Sequence, residues 1–474
     1  MTRRLAPDLC VVGAGSGGLT IAAGASQMGA DVVLVEKGKM GGDCLNYGCV
    51  PSKALIAAAH AAEGIRRGPL FGVDTGPPVV DFARVHDHVH GVIEAIAPND
   101  SVERFEGLGV TVVQEAARFI GPRTIRAGDA EITARRVVIA TGSSAAVPPI
   151  PGLDTVPFMT NETVFDRTVA PAHLIVIGGG PIGVELAQAF RRLGARVTML
   201  EMFTVLGRDD PELAEFVKLQ LRKDGVEIRE GIEIGAVEAR SGGIAVRITG
   251  ASDEETIEGS DLLIAAGRRA NLDGLDLDIA GIAHTPKGID VDRGLRTSNR
   301  RVYAIGDAAG PYQFTHMASY QATVVLRNAL FRLPAKVDYR AVPWVTYASP
   351  ELAHVGMNEG EAAAAHGTIR VLRFPFAEND RAQAEREIDG LVKVITNKRG
   401  VVVGAGIVGA HAGELIQSWI LPIARRMHIK HVAGLIVPYP TLGEVNKRAA
   451  GSYFTPMLFS DRTRKLVRLL IKFG

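Results

Sequence analysis

Cys44 and Cys49 are the residues best placed to do chemistry, in the run Gly41-Gly42-Asp43-Cys44-Leu45-Asn46-Tyr47-Gly48-Cys49-Val50-Pro51-Ser52-Lys53. Two nearby thiols can carry an electron pair as a dithiol and a disulfide. Their spacing sets a geometric condition. In a regular helix residues five apart have Cα atoms about 8.6 Å from each other, whereas a disulfide requires roughly 4.4–6.8 Å. If the two bond, the chain between them must bend, and Asn46 and Gly48 tolerate bends. The alanine-rich stretch from Pro51 to Ala62 reads as a helix, which sets Cys49 near an N-terminus that lowers a thiol pKa. The bland alternative is two chance buried cysteines. Cys10, inside an apolar strand, reads as inert core. Three cysteines are too few, and odd in number, for a secreted disulfide framework, so a pair here reads as catalytic.

The elements that must position this pair show as an internal echo. An apolar strand, a glycine turn, a helix, a second strand and an acid occur twice. The first copy runs from Leu9 through Gly13, Gly15 and Gly18 to Val35-Glu36, and the second from Leu174 through Gly178, Gly180 and Gly183 to Leu200-Glu201. Each acid lies 23 residues after its first glycine. Glycines let a backbone approach a pyrophosphate at a helix N-terminus, and the carboxylate takes a ribose hydroxyl, so two dinucleotide-binding units are implied. A carboxylate at Glu201 repels a 2′-phosphate and favours NADH over NADPH. A third match, Gly404 to Gly409, follows a strand but has Met427 where the acid belongs, and reads as a turn between strand and helix.

At 474 residues the chain should divide into two to four domains. Hydrophobic residues make up 47%, charged residues 22%, and the formal net charge is +1, which gives no global electrostatic case for a nucleic-acid partner. The basic N-terminal residues lead into a strand and glycines instead of a signal-peptide core, and no window reaches the roughly 18 apolar residues of a membrane span. A soluble cytoplasmic protein is expected. Proline-rich segments at Pro148–Pro151 and near Pro343 read as boundaries. After Pro343 short β-type runs alternate with helical ones, suggesting a third, α+β domain. His86, His88 and His90 alternate without Cys or clustered acids and read as solvated surface, so no metal site is expected. The tail from Asp461 mixes Arg462, Arg464, Lys465, Arg468 and Lys472 with Leu466, Val467, Leu469, Leu470, Ile471 and Phe473. It reads first as a helix packing on its own protein, with an anionic membrane surface or a partner as alternatives.

On the cysteine segment, both glycine echoes, Ala140-Thr141-Gly142, Ala304-Ile305-Gly306-Asp307, Pro343-Trp344-Val345-Thr346-Tyr347 with Pro350-Glu351-Leu352, and Tyr439-Pro440-Thr441-Leu442-Gly443-Glu444, residues 7 to 455 resemble the class I pyridine nucleotide–disulfide oxidoreductases. That group includes dihydrolipoamide dehydrogenase, glutathione reductase and mercuric reductase. The resemblance implies an α/β fold of two Rossmann-like domains, for FAD and NAD(P), with a C-terminal α+β dimerisation domain. It implies an FAD-binding first segment at 1–150, a nicotinamide-binding domain at 151–270, a central segment at 271–340, a dimerisation domain at 341–460 and a basic tail at 461–474. By the same carry-over Cys49 faces the flavin, Cys44 exchanges with substrate, Lys53 and Glu185 pair beside flavin N5, and Asp307 holds the ribityl chain. A helix starting near Thr315 would point at the flavin pyrimidine ring. Lys37, Gly42, Asp43 and Gly267 are counted with the cofactor contacts. A homodimer is implied, with Tyr439 acting on the partner chain.

The disulfide reductases of this group carry a histidine where this chain has Tyr439, followed by the acid that is here Glu444. A phenol of ordinary pKa near 10 is a poor general base at pH 7, whereas a histidine near 6.5 is well matched. Mercuric reductases look similar at this tyrosine but deliver metal through a second cysteine pair, and no cysteine follows Cys49 here. The expected enzyme is therefore mercuric reductase-like, passing electrons from NADH through FAD and the Cys44–Cys49 pair to a disulfide or other soft acceptor. The alternatives are a dihydrolipoamide dehydrogenase proper, or a redox-responsive interaction protein tethered by its basic tail. Relatives usually carry Pro in place of Ala270, and no function is attached to that difference.

Overall fold

The computed structural model describes residues 2–250 and 254–473. The chain divides into two compact units: residues 1–202 with 227–337, and residues 203–226 with 338–474.

In the first unit a five-stranded parallel sheet runs in the order Val302–Ala304, Arg136–Ile139, Leu9–Val12, Val32–Val35, Thr111–Val113. The Leu9–Val12 and Val32–Val35 strands are buried on both faces, which is why they read as unbroken apolar runs instead of alternating ones. Cys10 is fully buried there, and burial pushes its thiol up to about 12. A second parallel sheet places His173–Ile177 between Arg196–Glu201 and Asp261–Ile264.

The echo in the sequence is an echo in geometry. Gly13 and Gly178 end their strands at φ +104° and +113°, a left-handed backbone that glycine adopts without steric cost. The helices Ser16–Gln27 and Pro181–Arg192 follow at once. A Cβ on Gly18 would meet Gly13 O at 1.8 Å, and one on Gly183 would meet Gly178 O at 1.9 Å, so only glycine lets each helix sit this close to its strand.

The second unit carries a five-stranded antiparallel sheet in the order Pro343–Thr346, Glu351–Gly356, Val402–Gly409, Leu391–Asn397, Ile369–Pro375. Pro343 opens an edge strand, the position a residue without N–H tolerates. The sheet packs on a core around Phe376 and Trp419, whose indole donates to Asn446 Oδ1 at 2.8 Å. Two expectations need correction in this unit. Gly404, Gly406 and Gly409 lie inside the Val402–Gly409 strand and form no turn. They keep backbone and rings close: a Cβ on Gly404 would meet Met357 O at 1.9 Å, and one on Gly409 would meet the Phe376 ring at 2.5 Å. The tail does form a helix, Asp461–Leu470, capped by Ser460, but it buries none of its residues against the protein.

Candidate functional site

The cysteine segment folds as two helices with a break. Gly41 and Gly42 take φ +85° and +61°, and a Cβ on Gly42 would meet Gly15 Cα at 2.7 Å, so the cysteine segment starts flush against the first glycine turn. The short helix Gly42–Asn46 follows, with Asn46 Nδ2 donating to Met40 O and Gly42 O at 3.0 and 2.8 Å. The chain breaks at Tyr47 and Gly48 before the helix Cys49–Arg67 begins. Gly48 is needed for closeness here: a Cβ there would lie 3.0 Å from Asp43 Oδ2 and 3.3 Å from Cys44 Cα.

This break brings the thiols together, both free in this structure and hydrogen-bonded to each other. Cys49 is the first residue of its helix, and its Sγ lies 3.4 Å from Thr315 Oγ1, the first residue of the helix Thr315–Ala329. Two helix N-termini therefore meet at one sulfur, which favours its anion. The hydrogen bond from Cys44, reinforced by Thr315 and the Lys53 charge, brings Cys49 down to about 6, against the opposing effect of burial. Cys44 is pushed up, first by holding the shared proton toward Cys49 and then by burial. The pair therefore favours the anion on Cys49 over Cys44.

Lys53, one turn along the same helix, reaches Glu185 Oε2 of the helix Pro181–Arg192 at 2.8 Å, with the Glu185 side chain buried. In both echoes the acid folds back on its own turn: Glu36 Oε2 accepts from Ala14 N, and Glu201 Oε2 from Gly179 N, each at 2.6 Å. Lys37 is exposed beside Glu36. Near the Gly13 turn, Ala140 N donates to Val12 O at 2.7 Å, Asn271 N donates to Gly142 O at 3.0 Å, and Thr141 Oγ1 is buried without a hydrogen-bond partner among the described residues. Gly267 and Gly306 take φ +128° and +65°, and Gly306 N donates to Gln321 Oε1 at 2.6 Å.

Sequence reasoning missed a cation that ties these parts together. Arg268 donates from Nε and Nη2 to Ser143 Oγ and O at 2.7 and 2.8 Å, and Nη2 lies 3.0 Å from Asp43 Oδ2. Ser143 Oγ in turn donates to Asp307 Oδ2 at 2.5 Å. Burial raises the Asp307 carboxyl, with Ser143 and Arg268 opposing. Asn161 Nδ2 holds the other oxygen of Asp43 at 3.1 Å. A cavity of about 410 Å³ reaches Cys44, lined by Leu19, Leu45, Val50, Phe105, Asp100 and Arg104 among others, and Cys49 is not in its lining.

Tyr439 and Glu444 belong to the second unit. Tyr439 is 67% exposed, and its hydroxyl donates to Asp380 Oδ2 at 2.8 Å. That carboxylate raises the phenol above its ordinary value, so Tyr439 stays protonated. Glu444 opens the helix Glu444–Ser452. In the first unit, the rings of His86 and His90 lie 4.2 Å apart, tilted by 36°, on the helix Phe82–Ile96, and His88 is exposed.

The family model "Pyridine nucleotide-disulphide oxidoreductase" matches residues 7–322, and its "dimerisation domain" matches residues 342–450. A mercuric reductase of Staphylococcus aureus is 32% identical over 94% of this chain and 82% of its own length. A dihydrolipoyl dehydrogenase of Geobacillus stearothermophilus is 36% identical over 94% and 95%. Among solved structures, the HOCl-induced flavoprotein disulfide reductase RclA from Escherichia coli superposes with a TM-score of 0.84 at 26% identity, over 94% of this chain and 99% of that one. LpdA from Mycobacterium tuberculosis gives 0.86 at 26% identity, over 95% and 99%. With a glycine cradle at each echo, a dithiol at the first and an antiparallel sheet where the dimerisation model matches, the chain belongs to the pyridine nucleotide–disulfide oxidoreductases, FAD-dependent flavoprotein enzymes.

Proposed function

We propose that this enzyme draws an electron pair from NADH and delivers it through Cys49 and Cys44 to a disulfide or another soft acceptor. The observation that carries this reading is the asymmetry of the pair. Cys44, half-buried, lines the 410 Å³ cavity, while Cys49, the exposed thiol, faces Thr315 at two helix N-termini.

FAD fits the first echo on this chain's own features. A Cβ on Gly13 or Gly18 would strike backbone, whereas one on Gly15 has nothing nearer than Gly42 Cα at 4.0 Å, which leaves room for a pyrophosphate. The buried, unpartnered Thr141 hydroxyl and the strand-end Glu36 and Asp307 would complete its binding. Bound there, FAD would supply the two-electron chemistry that links the nicotinamide to the sulfur pair. Gly178, Gly180, Gly183 and Glu201 would hold NADH, and the Glu201 carboxylate disfavours a 2′-phosphate. In this reading residues 1–150 and 271–340 serve FAD, 151–270 serve NADH, and Lys53 and Glu185 border the hydride path.

Two electrons and one proton open the Cys44–Cys49 disulfide to a Cys44 thiol and a Cys49 thiolate. Cys44, after losing its proton, attacks one sulfur of an acceptor disulfide and releases the first thiolate. Cys49 then attacks Cys44 in the mixed disulfide, closes the internal bond and expels the second. Softness of the acceptor is supported by relatives named for mercury reduction and by a Cu(II) complex of RclA. A homodimer formed through residues 341–460 would bring Tyr439 to the partner subunit's Cys44.

The test is anaerobic NADH oxidation against glutathione disulfide, lipoamide, Hg(II), Cu(II) and a quinone, in wild type, Cys44→Ser and Cys49→Ser. Acceptor-dependent turnover lost in both variants is expected. Absence of turnover with every acceptor, while NADH still bleaches the flavin, would refute the enzymatic route through sulfur.

A further inference from the structure

We propose that residues 457–473 form a peripheral membrane anchor that lies in the plane of an anionic phospholipid surface. The segment is outside the dimerisation match, which stops at residue 450.

The last two turns of the helix Asp461–Leu470 divide by chemistry. At 3.6 residues per turn Arg464, Lys465 and Arg468 fall within an arc of about 100° that also holds Asp461, and Leu466, Val467, Leu469 and Leu470 occupy the opposite side, which Arg462 and Thr463 join only in the first turn. None of that apolar side is covered: exposures run from 46% at Val467 to 58% at Leu470, and reach 80% at Phe473. Met457, Leu458 and Phe459, in the turn just before, extend the patch and are exposed by half or more. An apolar area of this kind on a soluble surface marks a contact.

Charge identifies the contact. The residues from Asp461 on hold five cations and one acid, +4, in a chain of net charge +1. Arg464 lies 3.7 Å from Asp461, while Arg462, Lys465, Arg468 and Lys472 have no acidic partner within 4.0 Å among the described residues. A second copy of the same helix is a poor occupant, because a two-fold contact through it would set +4 against +4. Anionic headgroups neutralise the cations while acyl chains take the leucine face. Ten helical residues span about 15 Å, half a bilayer core, so the helix lies flat.

The experiment is co-sedimentation of the full-length, FAD-loaded protein with phosphatidylcholine vesicles, with and without phosphatidylglycerol, at low and high salt. Binding only to the anionic vesicles, weakened by salt, is expected. The Arg464→Glu, Lys465→Glu, Arg468→Glu triple variant should partition about a hundredfold less, with NADH oxidation unchanged as the control for folding. Hydrogen exchange across residues 462–470 should be fast in the free protein and slow on vesicles. No partition of the wild type, equal partition onto neutral vesicles, or an unaffected triple variant overturns the proposal. So does slow exchange without lipid, which would mean that a second copy covers the face.

Discussion

Thr315 Oγ1 stands 3.4 Å from Cys49 Sγ, linking two first-of-helix residues 266 positions apart. A hydroxyl can donate to a thiolate, and a hydrogen bond to an ionised group contributes about 1.5–3 kcal/mol. Thr315→Val should therefore raise the Cys49 pKa by about one unit, at 1.36 kcal/mol per unit. The sign follows from the direction of the shift. Cys49 is held down to about 6, so its thiolate persists until pH falls through that value, and the variant loses it earlier on acidification. Iodoacetamide alkylation of the reduced enzyme from pH 5 to 9, with the labelled cysteine identified by mass spectrometry, measures this. An unchanged profile would remove Thr315 from the account.

Arg268 carries three ties at once, to Asp43, Ser143 and Asp307. Arg268→Met should lower unfolding stability by about 2 kcal/mol, because it leaves partly buried carboxylates without their cation. Arg268→Lys should recover only part, since an ammonium cannot reproduce the fork to Ser143 and Asp43. Chemical denaturation of the three proteins, followed by flavin fluorescence, tests both statements.

Much of this arrangement was legible in the sequence for a local reason. Gly18 is demanded by Gly13 O, five positions back, and Glu36 reaches only 22 positions back to Ala14 N, whereas the backbone that demands glycine at position 13 is Ala140, 127 positions on. The cysteine segment was legible likewise, because Gly41 to Lys53 is a continuous run. Arg268 was not: it meets Ser143 across 125 positions, and Asn161 meets Asp43 across 118. No periodicity connects such pairs. The Gly404–Gly409 match misled because glycines that make room for Phe376 and Met357 look the same in sequence as glycines that make a turn. The tail's helix was written in its spacing, but whether its apolar face finds cover is not.

Glu201 holds Gly179 N at 2.6 Å, and on the proposed function it would also select the coenzyme. Glu201→Gln keeps an acceptor for that amide while removing the charge. It should therefore narrow the NADH-over-NADPH preference in kcat/KM by about tenfold without unfolding the turn. A wild type that prefers NADPH would overturn the role given to this carboxylate.

Acid should weaken the second unit through Glu212. Arg373 grips it in a fork at 2.7 and 2.8 Å, and Lys393 adds a third contact at 3.0 Å, which together hold its carboxyl down to about 2 from an ordinary 4.5. A depressed folded-state pKa gives stability present above pH 4.5 and lost as pH falls toward 2. With the side chain about a third exposed, solvent screening leaves about 1–2 kcal/mol. Both tryptophans, Trp344 and Trp419, lie in this unit, so their fluorescence reports on it. Glu212→Gln should flatten the acid limb between pH 4.5 and 2, and a limb as steep as in the wild type would exclude the mechanism.

On the proposed function, Tyr439 would decide which acceptors the thiols can serve. Its hydroxyl donates to Asp380, which raises its pKa, so at neutral pH it offers a proton but accepts none. Disulfide exchange needs a group that takes the Cys44 proton and later returns one to the leaving thiol, a service worth roughly 100- to 10,000-fold where it operates. A soft metal ion binds thiolates directly and needs no proton returned to a leaving thiol. Tyr439→His should thus raise kcat for glutathione disulfide or lipoamide at least about tenfold while leaving Hg(II)-dependent NADH oxidation within about twofold. Tyr439→Phe should leave both rates near wild type and shift stability by less than about 0.5 kcal/mol, since the side chain is exposed. If the histidine variant gains nothing with any disulfide, the acceptor limit lies elsewhere. The Asp100 and Arg104 side chains lining the Cys44 cavity would then be the next residues to exchange.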